Sequence, residues 1–162
     1  MSGEQRRPVI TAVTDIASPP EVVWSELTDF AAYAQWHPVL RFVDVPTAIV
    51  PGVRLRAQVS AGGPSDGEYT FAVLHYEAPR RLEWEGGIPE VLTGRHYFVL
   101  EPYDGGTRLT ESEEFTGPAA DTVEFGRESL EQDYAGYGGA LRERLETRRR
   151  QTSRAHHNGT RT

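Results

Sequence analysis

The chain has 162 residues, of which 38% are apolar, no cysteine and a net charge of −7. That length suits one domain with its own core, and the missing cysteine excludes disulfides, thiolate metal sites and a cysteine nucleophile. All seventeen basic residues are arginine, which excludes Schiff-base chemistry on lysine, and the acidic balance argues against nucleic acid as a partner.

Residues 1–8 are polar and read as a flexible tail. They lack the apolar core of a signal peptide, and no window reaches the ~20 apolar residues of a membrane span. A cytoplasmic protein with no membrane span is expected. Val9–Ile16 is the first strand. Ser18 and Glu21 have capping-box spacing, and Pro19 sits where a first helical turn tolerates proline, so two short helices are expected over 19–36. A second strand follows at Val39–Val45. Val53–Ser60 alternates Val53, Leu55, Ala57 and Val59 with polar residues, as a half-buried strand does.

The Ala61–Gly67 stretch is a loop by composition. Strands are then expected at about 68–77, 81–86, 92–102 and 107–115, separated by turn signals at Ala78-Pro79, Gly86-Gly87 and Asp104-Gly105. Thr116-Gly117-Pro118 opens a long helix. Its stripe of Val123, Leu130, Tyr134, Tyr137, Leu141 and Leu145 keeps one face. Early acids and late arginines suit the helix dipole. Gly136, Gly138 and Gly139 beside that stripe suggest a kink, a close approach or space kept for a ligand. Residues 151–162 read as a disordered basic tail, which places the folded domain at 9–150.

Asp104-Gly105 is the preferred pair for a two-residue type I′ hairpin. In that register Leu100 faces Leu109, Phe98 faces Glu111, His96 faces Glu113 and Gly94 faces Phe115. The apolar members share a face, which therefore points inward and carries His96, Glu111 and Glu113 with it. Gly94 leaves room for Trp84 of the preceding strand.

Several stretches resemble one superfamily in the right order. They are Ile16–Pro38, Arg81–Gly86, Gly94–Pro102 and Gly106–Gly117. Together they are similar to the START-like, or SRPBCC, superfamily of polyketide cyclases and lipid-transport proteins. The resemblance implies an α+β helix-grip fold: a curved antiparallel sheet of about seven strands around a long C-terminal helix, with two short helices after the first strand. It also implies a cavity for an apolar or aromatic small molecule. The superfamily includes cyclases and carriers alike.

Within that frame His96 is the candidate base, with Glu113 fixing its tautomer and leaving the other ring nitrogen free. Tyr134 or Tyr137 would polarise a substrate carbonyl. Trp36 and His37 would border the cavity mouth. Phe71, Trp84, Phe98, Glu111, Phe115 and Leu130 complete the expected ligand contacts. The same pair also fits a purely structural role, His96 and Glu113 satisfying each other. No cofactor is expected, and His37, His75 and His96 do not have metal-binding spacing. Oligomeric state is not readable from the chain.

Overall fold

The computed structural model describes residues 7–159. Seven strands form one antiparallel sheet: β1 Val9–Ile16, β2 Leu40–Asp44, β3 Arg54–Val59, β4 Gly67–Glu77, β5 Arg81–Ile88, β6 Leu92–Tyr103 and β7 Gly106–Thr116. Their order across the sheet is β1-β7-β6-β5-β4-β3-β2. The first strand thus pairs with the last, and every other neighbour is consecutive in sequence. Helix α1 (Pro20–Leu27) and a 3-10 helix (Phe30–Gln35) join β1 to β2; α2 (Ala120–Phe125) and the long α3 (Arg127–Asn158) follow β7. This is the helix-grip architecture, an α+β fold in which α3 lies across a curved sheet. Among the described residues no helix is long and apolar enough to cross a membrane.

The β6–β7 hairpin forms because Asp104 and Gly105 both adopt positive φ, 49° and 75°, as a type I′ turn demands. Tyr103 then pairs with Gly106, Phe98 with Glu111 and His96 with Glu113. Phe98, Leu100, Leu109 and Phe115 are all buried. On the opposite face Glu83 is buried too, bonded to Arg81 at 2.6 Å and to Arg95 at 2.9 Å. A register shift between Val73 and His75 turns His75 outward to Glu77 at 3.3 Å.

Three expectations need correcting. No capping box forms at Ser18: Pro19 is the N-cap, with no side-chain cap, and Pro20 fills the first turn. Proline is already suited to that turn because its missing N–H has no intrahelical partner there. The helix after β7 is broken at Gly126, whose φ of −99° and ψ of 8° are not helical. Of the tail expected to be disordered over 151–162, residues 151–158 are helical and continue α3 to Asn158. No glycine or proline interrupts it between Leu141 and Asn158, and arginine, glutamine and alanine favour helix. Of the expected N-terminal tail, residues 1–6 lie outside the described residues, while Pro8 accepts a hydrogen bond from Phe115 N at 2.9 Å. Residues 160–162 also lie outside them.

Helix α3 is anchored at two points. Gly138 meets β1 so closely that a Cβ there would sit 2.0 Å from Thr14 Oγ1. Of the three uses expected for the glycines, close approach therefore applies to Gly138. Further along, Arg144 donates to the buried Glu26 of α1 at 3.0 Å, and Arg148 donates to the same carboxylate. These arginines thus join α3 to α1; because α3 runs on to Asn158 they lie mid-helix, and the basic residues of its last turn are His156 and His157.

Candidate functional site

Between α3, the 3-10 helix and the sheet lies a small cavity. Trp84, Phe98, Leu109 and Glu111 line it from the strands; Tyr137, Gly138 and Leu141 line it from α3; Tyr33, Trp36 and His37 line it from the segment after α1. Its volume is about 20 Å³, room for about one water molecule. Aromatic rings fill the rest of the space: Phe30, Tyr33, Phe42, Trp84 and Phe98 touch one another at centroid distances of 4.9–6.0 Å.

Of the expected contacts, Trp36, His37, Trp84, Phe98, Glu111 and Tyr137 line this space. Phe71 packs behind Trp84 at 5.7 Å. Phe115 and Leu130 belong to a second core with Ile10, Val123 and Tyr134. His96, Glu113 and Tyr134 stand one layer back from the cavity. Tyr33 lines it and escaped the sequence reading. The signal was the spacing of Phe30, Tyr33 and Trp36, three residues apart, which is the period of a 3-10 helix.

The strand wall carries a chain of polar groups. His96 Nε2 lies 2.8 Å from Glu111 Oε1, and His96 Nδ1 lies 3.4 Å from Glu113 Oε2. Tyr134 donates its hydroxyl to Glu113 Oε2. Carboxylates only accept, so both ring nitrogens serve as donors and the ring is an imidazolium. Burial alone would lower the His96 pKa, but hydrogen bonds and charge from Glu111 and Glu113 outweigh it and raise the pKa to about 10. For Glu113 burial likewise pulls up, and His96 and Tyr134 win, holding its pKa below the ordinary value. Burial, then the charge of Glu113, keep Tyr134 un-ionised. The ring is clamped between Phe98 at 4.5 Å and Tyr134 at 5.6 Å.

This arrangement differs from the expected one in two ways. No nitrogen of His96 is left free, because Glu111 occupies the one that Glu113 leaves. The Tyr134 hydroxyl is already spent on Glu113, so it does not face a substrate carbonyl. The group that reaches the cavity from this cluster is Glu111 itself, 5% exposed. Gly94 has a different purpose as well. It sits opposite Gly86, and a Cβ on it would lie 2.0 Å from Glu113 Oε1. Its missing side chain makes room for Glu113, whereas Trp84 lies opposite His96.

The helical wall is neutral. His37 Nδ1 accepts from the backbone N–H of Val39 at 3.2 Å and of Leu40 at 3.0 Å. Burial, with the charge of His96 behind it, lowers the His37 pKa to about 3. Its ring stacks on Tyr33 at 5.6 Å and meets Tyr137 at 4.6 Å. Burial also pushes the Tyr137 hydroxyl up to about 12.

The comparisons with known proteins agree with this architecture. Residues 7–146 match the family model described as polyketide cyclase / dehydrase and lipid transport. Among solved structures, a protein of Mesorhizobium loti is similar with a TM-score of 0.68 at 20% identity, over 86% of this chain and 98% of that one. Ara h 8.0201 is similar with a TM-score of 0.68 at 14% identity, over 88% and 99%. A protein of the dynemicin biosynthetic locus is similar with a TM-score of 0.64 at 23% identity, over 86% of this chain and 47% of that one. At such identities the structures attest the fold alone. No curated protein matches the chain. The family match covers most of the folded domain, and the chain belongs to the polyketide cyclase / dehydrase and lipid transport family.

Proposed function

We propose that the protein binds an apolar or aromatic small molecule between α3 and the sheet, in the cytoplasm, and acts on it as a cofactor-independent cyclase or dehydratase. The observation that carries this reading is Glu111: a buried carboxylate on the wall of an aromatic cavity, oriented by His96 at 2.8 Å. A carboxylate held in a dry site, beside the reacting carbon, is placed to move protons. The neighbour from the dynemicin locus is consistent with natural-product chemistry.

In an aldol closure the α-carbon loses a proton, a C–C bond forms, and the carbonyl oxygen becomes a hydroxyl. In the dehydration that follows, a second C–H breaks, the hydroxyl leaves as water, and a C=C bond forms. Each proton taken from carbon ends on oxygen, so the balance closes without an oxidant or reductant. Glu111 takes and returns that proton through the oxygen that His96 does not hold. His96 is then a positioning residue, and Glu113 and Tyr134 hold its far side. Orientation of a folded substrate by the aromatic walls supplies much of the rate.

A carrier without chemistry is the second reading. It is favoured by the small size of the cavity and by the mutual satisfaction of His96, Glu113 and Tyr134. Native mass spectrometry of the protein mixed with extract of its own host separates the two. An enzyme captures a ligand whose mass falls by one water on the wild type and stays unchanged on Glu111→Gln. A carrier shows the same unchanged ligand on both, and that result would sink the enzymatic reading.

A further inference from the structure

Among the described residues, the ring N–H groups of the adjacent Trp36 and His37 on the cavity wall have no hydrogen-bond partner. Trp36 Nε1 is the buried side-chain polar atom that, among the described residues, lacks any hydrogen-bond acceptor. Leaving such a donor buried and unpaired is costly, and native structures rarely do so without a use. The second hydrogen is on the adjacent residue. Because His37 Nδ1 accepts from Val39 N and Leu40 N, the proton of the neutral ring must sit on Nε2. Among the described residues no hydrogen bond occupies that Nε2–H. The two rings lie 5.4 Å apart, and both line the cavity. Tyr33 and Tyr137 pack against the imidazole and fix its orientation. Elsewhere on the wall Glu111 holds His96 and the Tyr33 hydroxyl donates to Leu27 O at 2.5 Å, while the Trp84 indole N–H and the Tyr137 hydroxyl, on other elements, are further neutral donors.

We infer that Trp36 Nε1–H and His37 Nε2–H form a two-donor site for a carbonyl oxygen of the ligand, and so select conjugated or aryl ketones over hydrocarbons of the same shape. The inference rests on the ligand-binding reading given above. It adds which atoms read the ligand and which ligand group they read. Trp36 Nε1 is shielded from solvent in this packing, so a ligand oxygen reaches it when the aromatic side chains part. A neutral imidazole suits this task, because it donates without adding charge to a site that must also hold the Glu111 carboxylate. The carbonyl held there would face the group that Glu111 deprotonates, across the width of the cavity.

The test uses the full chain and two fluorescent probes of matched shape, 2-acetylnaphthalene and 2-isopropenylnaphthalene, which differ by a carbonyl oxygen in place of a CH2. The wild type should bind the ketone at least tenfold more tightly, with a red-shifted carbonyl stretch in the bound probe. Trp36→Phe keeps an aromatic ring on the wall but removes the N–H together with the fused pyrrole ring. His37→Asn keeps an acceptor for Val39 N and Leu40 N and removes Nε2–H. Each should cut the ratio of ketone to hydrocarbon affinity, measured on the same variant, to about threefold or less, whatever loss the two probes share. Equal binding of both probes by the wild type would overturn the donor site and leave the cavity reading standing. So would a ketone preference that survives both substitutions. Binding of neither probe would overturn both readings together.

Discussion

The strand wall and the helical wall of the cavity each carry one histidine, and the two are held in opposite charge states. His96 on β6 lies between Glu111 and Glu113 and is held as an imidazolium, with a pKa of about 10. His37, after the 3-10 helix, meets only backbone N–H groups and aromatic rings, and its pKa is about 3. Burial pushes both downward. What separates them is the partner each finds. An acceptor of negative charge retains the proton on His96, while a backbone donor aimed at Nδ1 keeps it off His37. Enzymes use such splitting of like residues to obtain acid, base and neutral donor from a small repertoire. Here it gives the cavity one charged wall and one neutral wall.

The largest effect should come from breaking the charged wall at its centre. His96→Leu leaves two carboxylates buried without their cation, and should cost about 3–5 kcal/mol of stability, read as a lower urea midpoint. Adding Glu113→Gln should recover part of that loss; a strictly additive double mutant would show that the pair is not coupled. Gly94→Ala attacks the same wall from behind. Its Cβ would meet Glu113 Oε1 at 2.0 Å and Cδ at 2.9 Å, so the carboxylate must leave its place, at a cost of about 1–3 kcal/mol. The His96 pKa, followed by NMR, should fall; an unchanged value would mean that Glu113 does not help hold the proton.

The comparison is sharpened by pH. His96 has its folded pKa raised above the ordinary 6.5. Its contribution is therefore complete below pH 6.5 and is lost as pH rises toward about 10. His37 has its folded pKa lowered from 6.5 to about 3. The unfolded chain takes up a proton there first, so stability is lost as pH falls below 6.5. Each limb should approach a slope of about 1.4 kcal/mol per pH unit, and stability should peak near pH 6.5 in urea melts. His37→Asn should flatten the acid limb between pH 6.5 and 5 and leave the alkaline limb intact. A wild-type profile flat from pH 5 to 9 would contradict both assignments. Tyr134→Phe removes one donor to Glu113 and should cost about 1–2 kcal/mol, without moving the acid limb.

The smallest effect compares two glycines of α3. A Cβ at Gly136 would have nothing within 4 Å, while one at Gly138 would strike Thr14. Gly136→Ala should stabilise by up to ~1 kcal/mol through helix propensity, whereas Gly138→Ala should destabilise by separating α3 from β1. Equal melting temperatures for the two variants would refute the close-approach role of Gly138.

By itself the sequence determined the strands, the long helix and the register of the last hairpin. Strand alternation and the Asp104-Gly105 turn are encoded within a few residues, so local rules suffice for them. That was enough to bring His96, Glu111 and Glu113 to one face. Tertiary structure alone decided how these groups share protons. Glu111 stands opposite Phe98, yet its side chain reaches diagonally to His96 and removes the free nitrogen the sequence suggested. Diagonal neighbours on a sheet lie within reach of long side chains, and which one bonds depends on the rotamers that packing allows. The same holds for Gly94 and for Tyr134, whose partner Glu113 lies 21 residues away in the chain. The aromatic closure of the cavity was also beyond local reading, because it depends on how Tyr33, Trp36 and His37 pack against strands and α3. Periodicity records which face a residue occupies; only three-dimensional packing decides what that residue touches there.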